Sequence, residues 1–329
     1  MIRAPAARAA RTWIGEEARV AAPARLHLGF LDLHAGLGRR FGGVGLAIDG
    51  AGTVVRVCPA TRLTARGSGH ERALSAAERV IAAFDLPHGC EIIVDEATPE
   101  HAGLGSGTQI ALSVGTALAR LAGLAPTARE TATIVERGVR SGIGVGAFAM
   151  GGVLVDGGRG RSEEPPPIVA RLDMPADWRI LLILDPALQG LHGAREAAAF
   201  EGLRPFPSEL AGELSRLVLM AVLPAVAERD LQGFGRAVTE LQARLGDYFA
   251  PVQGGRFASP DVAQALAWFA SEGVAGGGQS SWGPTGFAFF GSEAEGLVAL
   301  ERARGRFADT GLHFRLVAGR NRGADIDPP

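Results

Sequence analysis

The sequence predicts an α+β fold. Stretches with the two-residue alternation of strands and stretches with helical spacing occur in both halves of the 329-residue chain, without a regular β-α alternation. Between the halves lies Gly157 to Pro167, which is rich in Gly, Pro and charge and is typical of a crossing between domains. We therefore predict one domain over residues 19–165 and a second over residues 166–329, preceded by a flexible extension at 1–18.

The first half begins with a strand that has one apolar face. Leu26, Leu28 and Phe30 alternate with less apolar residues, which indicates a strand from Val20 to Phe30. A Gly-rich loop covers Asp32 to Gly43. The other strands predicted here are Val44–Asp49 and Thr53–Cys58, separated by a turn at Asp49–Gly52, and then Glu91–Val94 and Gly151–Val155. The predicted helices are Glu71–Phe84, Thr127–Arg137 and Thr108–Leu121, the last apolar on almost every side and therefore interior.

The second half begins with a buried strand. The run from Ile180 to Leu184 is wholly apolar, so we predict a strand over Trp178–Leu184. The elements expected after it are helices at Ser208–Glu228, Leu231–Leu245, Pro260–Phe269 and Glu293–Arg306 and strands at Gly286–Phe290 and Phe314–Val317. A second Gly-rich loop opens at Ala275 to Gly278.

All 33 basic residues of the chain are arginines, because the sequence contains no lysine. This excludes a lysine Schiff base, a lysine nucleophile and the phosphate-binding lysine of a P-loop. Arginine keeps its charge at any working pH, so these residues can bind anions but are poor proton shuttles. The formal net charge of −2 lacks the basic excess of nucleic-acid-binding proteins, so no nucleic-acid partner is expected.

Cysteine content and targeting signals favour a cytoplasmic protein. Cys58 and Cys90 are too few for a disulfide framework or a zinc site. Met1 to Ala18 lack the continuous apolar stretch of a secretory signal, and no apolar run of membrane-spanning length is evident. We therefore expect a cytoplasmic location without a membrane partner.

The strongest chemical signal is a Gly-rich segment directly before the interior helix. Its residues are Gly103, Leu104, Gly105, Ser106, Gly107, Thr108 and Gln109. Glycines let the backbone approach a phosphate, and a helix N-terminus attracts anions through its free N–H groups and its dipole. The spacing is not that of the dinucleotide fingerprint. A plain helix start capped by Ser106 or Thr108 is the alternative, but three glycines exceed what a cap needs, so phosphate binding is favoured.

Three segments together resemble the superfamily that contains galactokinase, homoserine kinase, mevalonate kinase and phosphomevalonate kinase, the GHMP kinases. These segments are Pro23–Gly29, Pro99–Gln109 and Gly276–Gly286. The resemblance covers about Ala21 to Val317. It implies a two-domain α+β fold with the active site in the cleft between the domains.

Two positions depart from the kinase pattern. Arg25 stands where these kinases often have Lys, and Gly144 stands where several have a catalytic Asp. A glycine cannot accept a proton or orient a hydroxyl group, so phosphoryl transfer through that base is not expected. An ATP-dependent small-molecule kinase is kept as one alternative function, and a non-catalytic ligand-binding protein as another.

The variant motifs are similar to those of one non-kinase branch, the β-ribofuranosylaminobenzene 5′-phosphate synthases. The matching segments are Arg25–His27, Leu31–Leu33, Leu37–Arg39, Gly42–Leu46, Gly103–Gln109, Arg140–Gly142 and Gly278–Pro284. The resemblance implies transfer from phosphoribosyl pyrophosphate to 4-aminobenzoate or 4-hydroxybenzoate, with release of CO2 and pyrophosphate, as the first committed step toward tetrahydromethanopterin. It implies Mg2+ on the pyrophosphate and no organic cofactor. The resemblance does not decide between the two acceptors. Proteins with this fold commonly form homodimers.

The same resemblance selects the candidate site residues. Arg25, His27, Asp32 and Arg39 are expected to act in catalysis, with Arg39 on the pyrophosphate. The substrate-binding candidates are the loop Gly103–Gln109, Arg140 and Ser141, and the group Gln279, Ser280, Ser281, Trp282 and Gly283. Asp32 and Glu100 are the candidate Mg2+ ligands. Structural roles are the alternatives at three positions: a turn former at Asp32, a structural histidine at His27 and a core anchor at Trp282.

Overall fold

A computed structural model describes residues 11–191 and 193–327 of the chain. The described strands form two sheets. The first sheet contains β1 (Ala18–Asp32), β2 (Phe41–Pro59), β3 (Thr64–Gly67), β4 (Cys90–Glu96), β5 (Val153–Asp156), β6 (Ile168–Leu172) and β11 (Asp325–Ile326). The second contains β7 (Arg179–Leu184), β8 (Gly277–Gln279), β9 (Gly286–Phe290) and β10 (His313–Ala318). The strand order is β11-β1-β2-β4-β3 in the first sheet, where β5 pairs with β2 and β6 with β5, and β10-β7-β9-β8 in the second.

Helices pack against both sheets, which confirms the α+β class. They are α1 (His70–Phe84), α2 (Ser106–Leu121), α3 (Ala128–Ile134), α4 (Ile143–Met150), α5 (Gly193–Glu201), α6 (Ser208–Leu217), α7 (Leu223–Ala227), α8 (Leu231–Gln253), α9 (Pro260–Ser271) and α10 (Glu293–Arg306). A turn of π-helix, Val218–Val222, joins α6 to α7. The helix that the sequence analysis predicts to be interior is α2. Thirteen of its sixteen residues are buried.

Several predicted elements differ from the observed ones. The turn predicted at Asp49–Gly52 is wrong, because β2 runs unbroken through it while Gly50 adopts a φ of +76°. A register shift between Ala22 and Ala24 of β1 absorbs this irregularity, as β-bulges do. The elements that the sequence analysis missed, namely β3, β6, β8, β11, α4 and α5, are short. Their apolar patterns extend over too few residues to reveal a period.

One apolar core spans both sheets. Leu26 and Leu28 of β1, Phe234 of α8, and Phe287 and Phe289 of β9 belong to the same buried cluster. Gly29 lies so close to α8 that a Cβ atom there would stand 2.3 Å from a methyl carbon of Leu245. Helix α8, which also contacts the second sheet, is therefore packed directly against the strand that carries the first motif.

The predicted domain boundary between residues 165 and 166 stays a prediction. The crossing strand β6 still pairs in the first sheet, and β11 returns to that sheet by pairing with β1. Residues 1–10 of the predicted extension lie outside the described residues. The remainder contacts the fold, since Arg11 donates to the Phe84 carbonyl at 3.0 Å and Trp13 donates to the Gly89 carbonyl at 3.1 Å.

The helical stretch Ser208–Ala227 is long and apolar enough to cross a membrane by length and composition, among the residues described. The expectation that no run reaches this length is therefore wrong. The stretch packs Leu214, Val218 and Val222 into the core that both sheets share.

Candidate active site

A bulge in β1 gathers the first motif on one face of the sheet. Leu26 and Leu28 point into the shared core, so Arg25 and His27 take the opposite face. The pairing register with β2 shifts between His27 and Gly29, so that Leu28 is an extra residue in β1. The extra residue brings Phe30 onto the same face as His27. The two rings accordingly lie with their centroids 4.7 Å apart.

The residues of β2 that pair with His27 and Phe30 are both glycines. Gly45 pairs with His27 and Gly43 pairs with Phe30 across the β1–β2 ladder. Directly paired residues of an antiparallel sheet share a face, so the two glycines allow other groups to approach β2 closely beside His27 and Phe30. A Cβ atom on Gly45 would stand 2.5 Å from Cγ2 of Ile143, and one on Gly43 would stand 3.0 Å from Nε2 of His27.

The loop before α2 lies against Arg25. The Arg25 guanidinium donates to the carbonyl of Gly103, and its backbone N–H donates to the carbonyl of Leu104 at 3.1 Å. Gly105 precedes the helix with a φ of +86°, and a Cβ atom on it would stand 3.1 Å from Cγ of Arg25. The Thr108 N–H donates to the Gly105 carbonyl at 3.1 Å, whereas the N–H groups of Ser106 and Gly107, in the first turn of α2, have no intrahelical acceptor. Burial, opposed by the charge of Glu196, lowers the pKa of Arg25 to about 10.

The third motif holds this loop in place from the other half of the chain. The Ser280 hydroxyl donates to the Gly103 carbonyl at 2.6 Å and accepts from the backbone N–H of His27 at 3.0 Å. The N–H of Ser281 donates to the His27 carbonyl at 3.0 Å. Gln279 is buried and braces its own turn by donating to the Ser281 carbonyl at 3.1 Å. These contacts bring Gly103, Ser280 and Ser281 together around β1, and their roles in substrate binding stay predictions.

His27 is a buried histidine whose ring nitrogens lack a hydrogen-bond partner in the part of the chain that the structure describes. Its side chain is 3% exposed, and neither ring nitrogen has a hydrogen-bond partner among the described residues. Burial, with a further contribution from the charge of Arg25, lowers the pKa of His27 to about 3. The imidazole is therefore neutral at physiological pH. An unsatisfied polar ring in such a position is costly unless a ligand or water completes it.

A carboxylate that the sequence analysis did not select lies beside His27. Asp156, at the end of β5, is 1% exposed and accepts hydrogen bonds at 2.9 Å from the Ser141 hydroxyl and from the backbone N–H groups of Gly142 and Gly158. Burial raises the pKa of Asp156, against the opposing effect of these hydrogen bonds. Sequence reasoning took Asp156 only as the end of a strand. The available signal was an acidic residue directly after a wholly apolar run.

Arg39 and Asp32 shape the loops at this end of the sheet. Arg39 donates to the carbonyls of Gly157 at 2.5 Å and Gly158 at 2.6 Å, and so holds the turn that follows Asp156. The Asp32 carboxylate accepts from the backbone N–H groups of His34 at 2.7 Å and Ala35 at 2.9 Å. The structure therefore gives both side chains local partners, and their expected roles toward a substrate stay predictions.

Helix α5 covers the site from the opposite side. Glu196 forms an ion pair with Arg140 at 2.6 Å and accepts a hydrogen bond from the indole N–H of Trp282 at 3.2 Å. Phe200, one turn later, lies under the Arg140 guanidinium at 5.2 Å and against the Trp282 ring at 5.2 Å. Aromatic rings continue the wall, because Phe41 lies 6.0 Å from Phe200. The sequence analysis missed α5, so it missed Glu196 and Phe200.

Further arginines surround the N-terminus of α2. Arg72 lies over Gly107, where a Cβ atom would stand 2.5 Å from one of its guanidinium nitrogens. Arg137 is partly buried, its Nε has no partner among the described residues, and burial together with the charges of Arg72 and Arg79 lowers its pKa. Clustered arginines repel one another unless an anion neutralises them. Glu100 pairs with Arg72 and Glu136 pairs with Arg79, so carboxylates neutralise part of this arginine cluster, which we call the anion basin.

The position of the kinase aspartate faces the same loop. A Cβ atom on Gly144, in the first turn of α4, would stand 3.2 Å from the Thr108 methyl carbon. Gln109 donates to the Gly144 carbonyl at 2.9 Å and so holds α4 beside α2. A carboxylate at position 144 would point toward the anion basin, and glycine provides none.

The described residues contain no group of three or more His, Cys, Asp or Glu side chains arranged to hold a metal ion. Asp32 is engaged in its own turn. Glu100 lies 3.6 Å from Arg72 and is the candidate carboxylate beside Gly103–Gln109, the segment that we call the phosphate loop. These residues do not form a preformed Mg2+ cage; one carboxylate beside bound phosphates is a common arrangement for this ion.

Comparisons with known proteins agree with this geometry. Residues 71–152 match the family model described as GHMP kinases N terminal domain, and residues 222–309 match the model described as GHMP kinases C terminal. Homoserine kinase from Cytophaga hutchinsonii has a similar structure, with a TM-score of 0.69 and 16% identity over 97% of this chain and 100% of its own. Mevalonate diphosphate decarboxylase from Staphylococcus aureus gives a TM-score of 0.64 and 12% identity over 95% and 98%.

Three curated relatives share one name, beta-ribofuranosylphenol 5'-phosphate synthase. The protein from Archaeoglobus fulgidus is 38% identical over 94% of this chain and 99% of its own length. Those from Methanothermobacter thermautotrophicus and Methanocaldococcus jannaschii are 32% and 31% identical over 92% and 90% of this chain, and 96% and 95% of their own lengths.

The fold and the phosphate loop thus define a protein with the two-part GHMP kinase fold. Within that class, the chain belongs to the β-ribofuranosylphenol 5′-phosphate synthase family, and it is a transferase.

Proposed function

We propose that the protein joins phosphoribosyl pyrophosphate to 4-hydroxybenzoate, forming β-ribofuranosylphenol 5′-phosphate, CO2 and pyrophosphate. The relatives' shared name supports this product, because a phenol results when 4-hydroxybenzoate is the acceptor. With 4-aminobenzoate, the other acceptor that the sequence leaves open, the product would be an aniline. The place of this step is the start of tetrahydromethanopterin synthesis.

The observation that carries the proposal is a phosphate loop without a kinase base. Gly103–Thr108 and the α2 N-terminus offer backbone N–H groups to an anion, with Arg25, Arg72 and Arg137 nearby. Gly144 supplies no carboxylate to orient an attacking hydroxyl group. A diphosphate that leaves, rather than a phosphoryl group that is transferred, suits this set of residues.

The reaction balances without a protein nucleophile. The bond between ribose C1 and the diphosphate oxygen breaks, and its electron pair leaves with pyrophosphate. The ring carbon that bears the carboxylate forms a bond to ribose C1. The carboxylate then leaves as CO2, and the electron pair of that bond restores the aromatic ring.

The protein contributes positioning and charge. The α2 N-terminus and the arginines stabilise the negative charge that grows on the leaving diphosphate. The aromatic rings of Phe30, Phe41 and Phe200 offer a wall against which the acceptor ring can pack. Closure of α5 would exclude water from the cationic ribose centre. Bound Mg2+ would neutralise part of the diphosphate charge, with Glu100 as the nearest candidate carboxylate.

The test is release of labelled CO2. The protein is incubated with phosphoribosyl pyrophosphate, Mg2+ and carboxyl-labelled 4-hydroxybenzoate, and the released label and pyrophosphate are counted. Equal amounts of both are expected. ATP consumption with small alcohol substrates, without release of CO2, would instead support a kinase.

A further inference from the structure

One carboxylate holds two motif residues from opposite halves of the chain. Oε2 of Glu196 pairs with a terminal guanidinium nitrogen of Arg140 at 2.6 Å, and Oε1 accepts from the indole N–H of Trp282 at 3.2 Å. Arg140 and Trp282 belong to motifs that the sequence analysis selected, whereas Glu196 belongs to helix α5 and to none of them. Each oxygen of this carboxylate therefore has its own donor, which is the arrangement that a free carboxylate needs in a binding site.

We infer that Arg140 and Trp282 form the subsite for the carboxylate of the acceptor, and that Glu196 occupies this subsite until the acceptor displaces it. The inference rests on the proposed function and adds the residues that recognise the carboxylate end of the benzoate. Binding exchanges one carboxylate for another at the same two donors. Neither the guanidinium nor the indole N–H is then left unsatisfied in the free or in the bound protein.

The subsite lies where the chemistry requires it. The ring carbon that bears the carboxylate must reach ribose C1, so the carboxylate must bind near the diphosphate that leaves from the same carbon. Glu196 meets this condition, because its charge acts on the buried Arg25, and Arg25 donates to the Gly103 carbonyl of the phosphate loop. A benzoate that takes the place of the Glu196 carboxylate is therefore on the side of the cleft where the donor is expected.

Aromatic rings beside the subsite favour an aryl carboxylate over a phosphate group of the donor. Phe200 lies under the Arg140 guanidinium at 5.2 Å and against the Trp282 ring at 5.2 Å. Phe249 lies 4.7 Å from the Trp282 ring. A benzoate ring gains packing against such a surface, whereas a phosphate group gains nothing from it.

Arg140 keeps its place while Glu196 can leave. Asp156 accepts hydrogen bonds at 2.9 Å from the Ser141 hydroxyl and from the Gly142 N–H. These bonds fix the turn that carries Arg140. The ion pair itself is open to solvent, because the side chain of Arg140 is 37% exposed and that of Glu196 is 23% exposed. Rotation about its own side-chain bonds therefore takes Glu196 toward solvent, and the place that it leaves has the size of a carboxylate.

The return of Glu196 offsets a cost of binding the acceptor by its carboxylate. A carboxylate held by Arg140 is stabilised in the ground state, and this stabilisation is lost as the group leaves as neutral CO2. The electron pair of the broken carbon–carbon bond stays with the ring, so the guanidinium loses its anion. Glu196 can then pair with Arg140 again, which leaves no unpaired cation in the transition state. Glu196 acts as a positioning residue and exchanges no proton with the substrate.

The experiment compares three probes in matched variants. Calorimetry measures the affinity for 4-hydroxybenzoate, for 4-hydroxybenzamide, which has the same ring and a neutral amide, and for ribose 5-phosphate. The proteins are the wild type, Arg140→Gln and Glu196→Gln. Arg195→Gln and Glu201→Gln, at exposed positions of α5, remove the same charges without touching the subsite and are the controls.

We expect Arg140→Gln to weaken binding of 4-hydroxybenzoate by about 10-fold or more and to leave 4-hydroxybenzamide almost unaffected. Glu196→Gln should tighten 4-hydroxybenzoate several-fold, because no internal carboxylate competes for Arg140. In turnover, Glu196→Gln should lower KM for 4-hydroxybenzoate and kcat together, with kcat/KM close to that of the wild type. The variant binds the ground state more tightly and gains nothing in the transition state, where the charge of the acceptor is gone.

Three results would overturn the inference. One is an unchanged affinity for 4-hydroxybenzoate in a folded Arg140→Gln protein. Another is a selective loss of affinity for ribose 5-phosphate in that variant, which would place Arg140 on the phosphate of the donor. The third is weaker binding of 4-hydroxybenzoate by Glu196→Gln, which would mean that the two carboxylates do not exchange.

The binding measurements separate this inference from the proposed function, because they need no turnover. If the wild type releases no CO2, the proposed function fails. Binding of 4-hydroxybenzoate that is weakened in Arg140→Gln and tightened in Glu196→Gln supports the subsite even so, and equal binding of the acid and its amide by the wild type contradicts it.

Discussion

The hydroxyl group of Ser280 donates a hydrogen bond to the carbonyl of Gly103 at 2.6 Å, across 177 residues of sequence. This contact ties the third Gly-rich motif to the phosphate loop, and the same hydroxyl accepts from the N–H of His27. Three motifs that lie far apart in the chain thus form one rigid frame around β1. Changes at one motif should therefore affect ligand binding at another.

Gly105 tests the phosphate loop. Its φ of +86° and the 3.1 Å approach of a Cβ atom to Arg25 mean that a side chain would strain the turn and displace the arginine. We expect Gly105→Val to lose affinity for phosphoribosyl pyrophosphate by at least about 10-fold and stability by about 1–3 kcal/mol. Calorimetry and urea unfolding measure the two quantities in that order.

The control is Gly212→Ala, at an exposed site in α6 with no neighbouring atom within 4 Å. Unchanged donor affinity in a folded Gly105→Val protein would contradict the assignment of this loop.

A variant of Arg39 tests whether this arginine binds the donor substrate or holds a turn of the protein. Its guanidinium holds the carbonyls of Gly157 and Gly158, next to Asp156. We expect Arg39→Ala to lower kcat by roughly 10- to 100-fold, equivalent to about 1–3 kcal/mol, because the turn after Asp156 loses the arginine that holds it. Steady-state kinetics with each substrate varied in turn give the answer. A selective loss of affinity for phosphoribosyl pyrophosphate would instead place Arg39 on the diphosphate, as the sequence alone suggests.

Glu196 tests the cover that α5 forms. Its carboxylate pairs with Arg140 at 2.6 Å and is the negative charge that acts on Arg25. Anionic substrates must compete with this charge for the arginines. We therefore expect Glu196→Gln to bind phosphoribosyl pyrophosphate several-fold more tightly than the wild type in calorimetry at low salt. Glu201→Gln, at an exposed position of the same helix, should bind like the wild type; weaker binding by the Glu196 variant would mean that its carboxylate supports the ligand.

His27 links stability to pH. Its pKa is lowered to about 3 in the folded protein by burial and by Arg25, against 6.5 for an ordinary histidine. A depressed pKa contributes stability that is present above pH 6.5 and is lost as pH falls toward 3, because the unfolded chain binds the proton more readily. Between pH 7.5 and pH 5 this should remove about 2 kcal/mol from the unfolding free energy.

The measurement is urea unfolding at both pH values. His27→Gln lacks the titrating ring and should lose about 2 kcal/mol less than the wild type over this range. His313→Gln, at an exposed histidine, is the control and should follow the wild type. An identical pH dependence in all three proteins would mean that the pKa of His27 is the same in the folded protein and in the unfolded chain, and would contradict this account.

Much of the fold and the outline of the site could be predicted from the sequence. Strongly apolar segments such as α2 and β7 carry their own signal, and the Gly103–Gln109 loop is visible because glycines at that spacing serve few purposes. Asp156 and Glu196 could not be predicted in the same way. Their importance depends on which strand pairs with β2 and on where α5 packs, and both are long-range relationships that local spacing does not contain.

The partners of the predicted residues also depend on the tertiary fold. The motif containing Arg39 could be recognised, but its contact with the turn after Asp156 arises from the β2–β5 pairing. Gly43 gives a similar lesson, since a glycine in a strand indicates close approach without saying what approaches. Here it is the ring of His27 and the carboxylate of Asp156.

The central claim is that a carbon–carbon bond forms between ribose C1 and the acceptor ring as CO2 leaves. The most direct measurement uses phosphoribosyl pyrophosphate labelled with carbon-13 at ribose C1 and 4-hydroxybenzoate labelled at the ring carbon that bears the carboxylate. We predict a product in which the two labelled carbons show a one-bond coupling in the carbon-13 spectrum, formed in equal amount with CO2 and pyrophosphate. A product that keeps its carboxylate and links ribose C1 to oxygen, or turnover that requires ATP and leaves the two labels uncoupled, would contradict the account.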